Sequence, residues 1–277
     1  MTEQFLTFNN KKLAYTIHGS GPAVMLIHGY TESKDIWFPM AEKLGKKYMV
    51  IMPDLPGHGN SDVMENLTME IMAKQMDVLA DKLQLERFTM IGHSMGGYMT
   101  ACYASLNERR LNGFGFFHSS ARGDTAEGKS NRDRVMEIIE KDHGDTFINM
   151  FVPSLFYEAN RDRLESEIKT LQQRALKISK KALIECQKAM AARMGHIDLI
   201  ADSNLPILYI IGKQDSRSDY NLILAQAALA KRAFVLSLDS CGHMGYLEKF
   251  DDCLAAVEGF LMACLQTNDS MTAIGGR

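Results

Sequence analysis

The stretch "MIGHSMGGYMTACYAS", residues 90–105, sets a serine among glycines, between an apolar run and an immediate return to small and apolar residues. Glycine weakens both strands and helices, so glycines at this spacing mark a backbone turn that ordinary residues resist. Gly92-His93-Ser94-Met95-Gly96 matches G-x-S-x-G, the turn between a strand and a helix that exposes a nucleophilic serine. The apolar run "FTMIG" precedes it, and a helical pattern follows from about Met95 to Asn107. The pentapeptide is weak evidence by itself, and its setting carries the weight. Such a turn strains the backbone at Ser94, requires small neighbours, and lifts the hydroxyl to the carboxyl end of the strand. The first amides of the following helix then point at the place where a developing anion would sit.

Outward from this turn, short apolar runs alternate with helical patterns. "QFLTF" and "KLAYTIHG" flank "NNKK" and read as a hairpin turning at Asn9 and Asn10. "AVMLIHG" (23–29), "YMVIMPD" (48–54), "GFGFFHS", "PILYIIG" (206–212) and "AFVLSLD" (233–239) read as strands covered on both faces. Helical spacing fills "TMEIMAKQMDVLADKLQL", with Thr68 as its N-cap, and "YNLILAQAALAK". The alternation argues an α/β fold with a mostly parallel sheet flanked by helices. Residues 122–200 break it, being charged and helical without a strand, and read as a helical cap inserted between core segments 1–121 and 201–267. Residues 268–277 read as a flexible tail.

A serine hydroxyl needs a base, and the base needs an orienting acid. In this architecture they follow in the order Ser, Asp or Glu, His. Asp215 stands just past the "PILYIIG" strand, and His243 stands between Gly242 and Gly245 after "AFVLSLD". Their joint placement after the last two strands makes Ser94, Asp215 and His243 the candidate catalytic residues.

"LIHGYTES" (26–33), "MPDLPGHGNSD" (52–62), "GHSMGG" (92–97), "GKQD" (212–215) and "CGHMGYLE" (241–248) together resemble the α/β-hydrolase superfamily over nearly the whole chain. The resemblance implies oxyanion-hole amides from Tyr30 and Met95, loops shaped by His28, Gly29 and His58, and a cap that covers the cleft and selects substrates. It implies a serine hydrolase that cleaves a small-molecule carboxylic ester through an acyl-enzyme, without cofactor or metal. Some members of the fold draw the acid from the end of the sixth strand, and only by this resemblance is Asp124 a second candidate for it. Dehalogenases and epoxide hydrolases of this fold use an aspartate nucleophile, whereas residue 94 is serine. Carbon–carbon bond hydrolases of ring-cleavage products, thioesterases, lactonases and perhydrolases stay open within the serine class, as do non-hydrolytic ligand-binding members. Fold does not settle chemistry. The expected pocket is apolar, with Trp37, Phe151, Phe156 and Tyr157 as candidate substrate contacts.

Composition narrows the classes further. The 277 residues carry a formal net charge of −3 with acids and bases interspersed, which is no nucleic-acid footprint. No apolar stretch approaches a membrane span, and the N-terminus lacks a signal-peptide layout. Five scattered cysteines without a CxxC pair read as buried thiols in the cytoplasm. His18, His28, His58 and His93 lack the paired spacing of metal ligands. "GDTAEGKS" (123–130) matches the phosphate-binding G-x-x-x-x-G-K-S, and "FVLSLD" could pass as its partner strand. "SSAR", however, separates the preceding strand from Gly123, where that loop needs its turn at the strand's end. The stretch is read as a hinge into the cap.

Overall fold

The computed structural model describes the backbone of residues 1–274 and the side chains of residues 1–141 and 144–266. The chain enters its sheet through a hairpin. β1 (Thr2–Phe8) and β2 (Lys11–His18) pair antiparallel with Phe8 opposite Lys11. Asn9 and Asn10 turn the chain at φ 48° and 58°, the double left-handed turn whose twist suits a two-residue hairpin. The remaining strands are β3 (Ala23–Ile27), β4 (Met49–Pro53), β5 (Phe88–His93), β6 (Leu111–Phe117), β7 (Ile207–Gly212) and β8 (Ala233–Leu238). They lie in the order β1-β2-β4-β3-β5-β6-β7-β8. β2 pairs antiparallel with β4, and every pairing from β4 across to β8 is parallel.

β3 is followed in sequence by β4 on one side and flanked by β5 on the other, so the strand order reverses there. In open α/β sheets, the crevice beyond the carboxyl ends of strands at such a reversal is where ligands bind. Ile27 at the end of β3 lies beside Gly92 in β5, which brings the loop after β3 against the turn at Ser94. β3, β5, β6 and β7 are buried along their whole length, which explains their unbroken apolar runs. β8 alternates exposed and half-buried residues, as an edge strand does.

The helices between strands are α1 (Phe38–Leu44), α2 (Met69–Lys82), α3 (Met95–Asn107) and α9 (Tyr220–Ala227), followed by α10 (Gly245–Glu248) and α11 (Phe250–Ile274). Thr68 caps α2 by accepting the Ile71 amide at 3.2 Å. The first turn of the helical pattern before β4 is a 3-10 turn, Lys34–Trp37, and α1 begins only at Phe38, with Pro39 in its first turn, where its missing N–H costs nothing. Among the described residues no helix is long and apolar enough to cross a membrane. The tail expected at 268–277 falls outside the residues described with side chains.

Between β6 and β7 run α4 (Ala126–Ile138), α5 (Gly144–Ser154), α6 (Glu165–Ala175), α7 (Lys180–Ala192) and α8 (Ile197–Asp202). "GDTAEGKS" is the start of α4: Thr125 Oγ1 accepts the Gly128 amide at 3.1 Å, an N-cap and not a phosphate cradle. Polar ties fasten these helices to the sheet's carboxyl-end loops. Tyr30 Oη donates to Leu183 O at 3.3 Å, and Asn160 Nδ2 donates to Glu248 Oε2 at 2.7 Å. All five cysteines are buried free thiols.

Candidate active site

Ser94 sits at φ 49°, ψ −117°, between the last residue of β5 and the first of α3. A non-glycine residue holds such a conformation only where its surroundings over-determine it. Here the Ser94 amide donates to Phe117 O at 3.0 Å, and its carbonyl accepts from Ser119 Oγ at 2.6 Å and from the Gly97 amide at 2.9 Å. The flanking glycines make room for the turn. A Cβ on Gly92 would run into the Gly96 carbonyl, and one on Gly96 would lie 2.6 Å from His28 O. Ser94 Oγ is bound to no partner among the described residues and opens onto a cavity of about 460 Å³.

Asp215 follows β7, and its carboxylate holds His243. Nδ1 of His243 lies 2.8 Å from Oδ2 and 3.0 Å from Oδ1. The Arg217 and Ser218 amides donate to Oδ1 at 2.8 and 3.0 Å. Burial alone would raise the Asp215 pKa, but the charge of His243 and the hydrogen bonds from His118 and His243 outweigh it and hold the carboxyl well below its ordinary range. The His243 backbone is fixed as well: its amide donates to Leu155 O at 2.7 Å, and its carbonyl accepts from His93 Nε2 at 2.9 Å. Ser94 and His243 line the same cavity, yet no hydrogen bond joins Ser94 Oγ to the imidazole among the described residues. Such contacts are commonly loose without substrate and tighten when it binds.

Tyr30 follows β3 and lines the cavity, while Met95 is the first, buried residue of α3. The amides of Tyr30 and Met95 are engaged by no hydrogen-bond acceptor among the described residues; Tyr30 lines the cavity, and Met95 does not. A buried carboxylate shapes the loop beneath Tyr30. Glu32 Oε2 accepts the Gly29 amide at 2.5 Å and faces His93 Nδ1 at 2.8 Å, and Glu32 Oε1 accepts from Tyr246 Oη at 2.9 Å. Burial would lower the His93 pKa, but Glu32 reverses this and raises it. Burial would likewise raise that of Glu32, but the His93 charge brings it down.

Three of the four aromatic residues expected at the substrate stand elsewhere. Trp37 is wholly buried in the core against Phe117 and Tyr246, with ring centroids 5.4 and 5.9 Å away. Phe156 is buried, and Tyr157 is tied through its amide to Glu248 Oε2 at 3.0 Å; neither lines the cavity. Phe151 lines it, packed against Tyr30 and Phe147. The cavity is also less apolar than expected, with Arg122, Arg132, Arg193 and Arg217 in its wall. Asp124, the other candidate acid, is engaged by Arg132 and by Arg193, the latter at 2.7 Å, while Asp215 alone of the two contacts His243. His28 and His58 serve their loops: His28 Nε2 accepts the Leu55 amide at 2.8 Å, and His58 Nδ1 donates to Pro56 O at 3.0 Å.

Two residues of the site escaped the sequence reading, Glu32 and His118. His118 directly follows β6, as Ser94 follows β5, and has φ 49°. That shared position at a strand's carboxyl end was the available signal. Its Nδ1 lies 3.1 Å from Asp215 Oδ2, and its Nε2 is buried without a hydrogen-bond partner among the described residues. His118, Asp215 and His243 offer donor atoms within 4.8 Å of one another, the kind of set that can hold a metal ion. Both imidazoles spend Nδ1 on the carboxylate, so a metal there would take His243 away from Asp215.

A mostly parallel sheet with a strained serine after one central strand, and an acid and a histidine after the last two, is the arrangement of the α/β-hydrolase fold. The chain has the α/β-hydrolase fold: the alpha/beta hydrolase fold family matches residues 22–114, and solved proteins of that fold superpose on nearly the whole chain. An esterase from Thermogutta terrifontis, solved with malate bound, is 27% identical with a TM-score of 0.89, over 95% of this chain and 99% of that one. An enol-lactonase from Burkholderia xenovorans LB400 shares the fold at 20% identity and a TM-score of 0.87, over 94% of this chain and 100% of that one. An uncharacterised protein of Mycobacterium tuberculosis is 39% identical over 104 residues, 37% of this chain and 30% of that protein, so the likeness spans under a third of that relative's length.

Proposed function

We propose that the protein is a serine hydrolase that cleaves a small-molecule carboxylic ester through an acyl-enzyme. Ser94 attacks the carbonyl carbon while His243 takes its proton. Asp215 holds the imidazole in the tautomer that leaves Nε2 free, and stabilises the imidazolium that forms. The Tyr30 and Met95 amides receive the tetrahedral oxyanion. His243 then returns the proton to the leaving alkoxide and activates the water that releases the acid. The observation that carries this reading is the opening of Ser94, held in its strained conformation, and of the Asp215-bound His243 onto one cavity. A cavity of about 460 Å³ suits a small molecule. Five buried free thiols support a reducing, cytoplasmic setting.

The test is a series of p-nitrophenyl esters of rising acyl length with wild type and Ser94→Ala. Turnover of short acyl chains by wild type, lost in a folded Ser94→Ala sample, is expected. Turnover in Ser94→Ala at the wild-type rate would refute the role of Ser94, and ligand-induced stabilisation without any turnover would favour a binding protein.

A further inference from the structure

The charge in the cavity wall does not balance. Four guanidinium groups line it: Arg122 before α4, Arg132 on α4, Arg193 after α7 and Arg217 after β7. Of the three carboxylates in the wall, Glu32 is matched by His93, which leaves Asp124 and Asp219. Asp124 is shared by Arg132 and Arg193, one negative charge between two positive ones. The Asp219 carboxylate caps α9, accepting the Leu222 amide at 2.9 Å. Four positive charges thus face two negative ones in the lining, with the Asp215 carboxylate behind His243 as a third; Arg122 and Arg217 are open to solvent, and the excess of positive charge favours an anion.

Two of these arginines have donors to offer. Arg193 spends its guanidinium on Arg122 O, Met190 O and Asp124, and stacks over the Tyr98 ring at 3.8 Å. Arg132 spends its own on Asp124, Gln187 and Met190. Arg217 binds only Ser154 Oγ, at 2.6 Å through Nη2, and lies over the Phe151 ring at 5.0 Å. Its Nε and Nη1, and the whole Arg122 guanidinium, are bound to no acceptor among the described residues. Arg217 is also tied to the site by its backbone, whose amide donates to Asp215 Oδ1.

We infer that the substrate is an ester bearing a free carboxylate, which Arg217 and Arg122 bind in the cavity that Ser94 lines. The inference rests on the reading of Ser94 as the nucleophile. A guanidinium fork matches a carboxylate's two oxygens, and the aromatic face beneath Arg217 holds the fork in place. A single negative charge fits better than a dianion such as phosphate, because Asp124 and Asp219 remain in the wall and repel a second charge. The apolar side of the cleft, with Phe147, Phe151 and Leu155, suits a short methylene spacer between carboxylate and ester.

The experiment compares two ethyl esters that differ only in charge: monoethyl adipate and its ω-carboxamide, both followed by ethanol release. The expected result is a kcat/KM at least about tenfold higher for the acid, the size of one charge-assisted contact. That ratio should shrink as salt rises and should collapse toward one in Arg217→Gln and in Arg122→Gln. Two single variants keep the test open if one of them fails to fold. Equal turnover of acid and amide by wild type, or a ratio unmoved by both substitutions, would overturn the inference while leaving the role of Ser94 standing. Turnover of neither ester, with Ser94 inert to a fluorophosphonate, would overturn both.

Discussion

His118 Nδ1 lies 3.1 Å from Asp215 Oδ2, the same oxygen that receives His243 Nδ1 at 2.8 Å. The candidate catalytic acid is therefore held between two imidazoles. His118 touches neither Ser94 nor the cavity and acts through Asp215, as a positioning residue. Glycines enclose it: a Cβ on Gly245 would strike Nε2, and one on Gly212 would come within 3.0 Å of Cε1. His118→Asn is expected to lower kcat by roughly tenfold, the scale of one hydrogen bond to a charged group, with KM little changed. Steady-state kinetics check this. A merely structural role would lower the folded fraction and leave kcat per active site, titrated by fluorophosphonate, unchanged.

The Glu32–His93 pair is expected to be costly to break. Glu32→Gln removes the charge that holds the proton on the buried His93 and weakens the ties to the Gly29 amide and Tyr246 Oη, a loss of about 3 kcal/mol by the usual scale for a severed buried pair. The sign of its pH dependence follows from both partners. The lowered Glu32 pKa gives stability that is present above the unfolded carboxyl's value and lost as pH falls through the folded one. The raised His93 pKa gives stability that is present below the unfolded imidazole's value and lost as pH rises through the folded one. The difference in urea-unfolding free energy between wild type and Glu32→Gln should thus be largest between about pH 4.5 and 6.5 and shrink toward alkaline pH. A difference that keeps growing above pH 8 would contradict the pairing.

His58 predicts acid sensitivity of a different origin. Burial pushes its pKa down to about 4, with the neighbouring His28 adding to the fall. As pH drops below about 6.5, the unfolded chain binds a proton that the folded chain refuses. Stability is lost between that value and the folded pKa, by up to about 3 kcal/mol for this group. Unfolding free energies at pH 7 and pH 5 should differ less in His58→Gln than in wild type. An equal or steeper fall in the variant would show that His58 titrates freely in the fold.

Gly96→Ala is expected to lose activity together with the fold around Ser94. The added methyl would sit 2.6 Å from His28 O and 2.7 Å from Ile27 O, backbone atoms of the neighbouring strand and loop that have no room to yield. Thermal unfolding should show a clear drop in Tm. Wild-type Tm with wild-type turnover would mean that strand and helix have slack at this turn.

Much of the site is legible in the sequence because its signals are local. The turn at Ser94 is written in glycines two residues either side of it, and Asp215 and His243 each stand where an apolar run ends. Glu32 and His118 are not legible in this way. Glu32 acquires its meaning from His93, 61 positions on, and His118 from Asp215, 97 positions on. No periodicity encodes such approaches. Trp37 shows the converse error. It stands near the oxyanion loop in sequence, but the 3-10 turn at Lys34–Trp37 drives its ring into the core beside Phe117. The arginines of the cavity were hidden for a similar reason: Arg122, Arg132, Arg193 and Arg217 come from four separate places in the chain and share one wall only in the fold.

Ser94 is the proposed nucleophile, and His243 its activating base. These roles are tested most directly by treating the folded protein with a fluorophosphonate and mapping the adduct by peptide mass spectrometry. One adduct per chain is expected, on Ser94, formed rapidly in wild type and slowed by orders of magnitude in His243→Ala. An unmodified Ser94, or an adduct on another residue that tracks the loss of ester turnover, would contradict them.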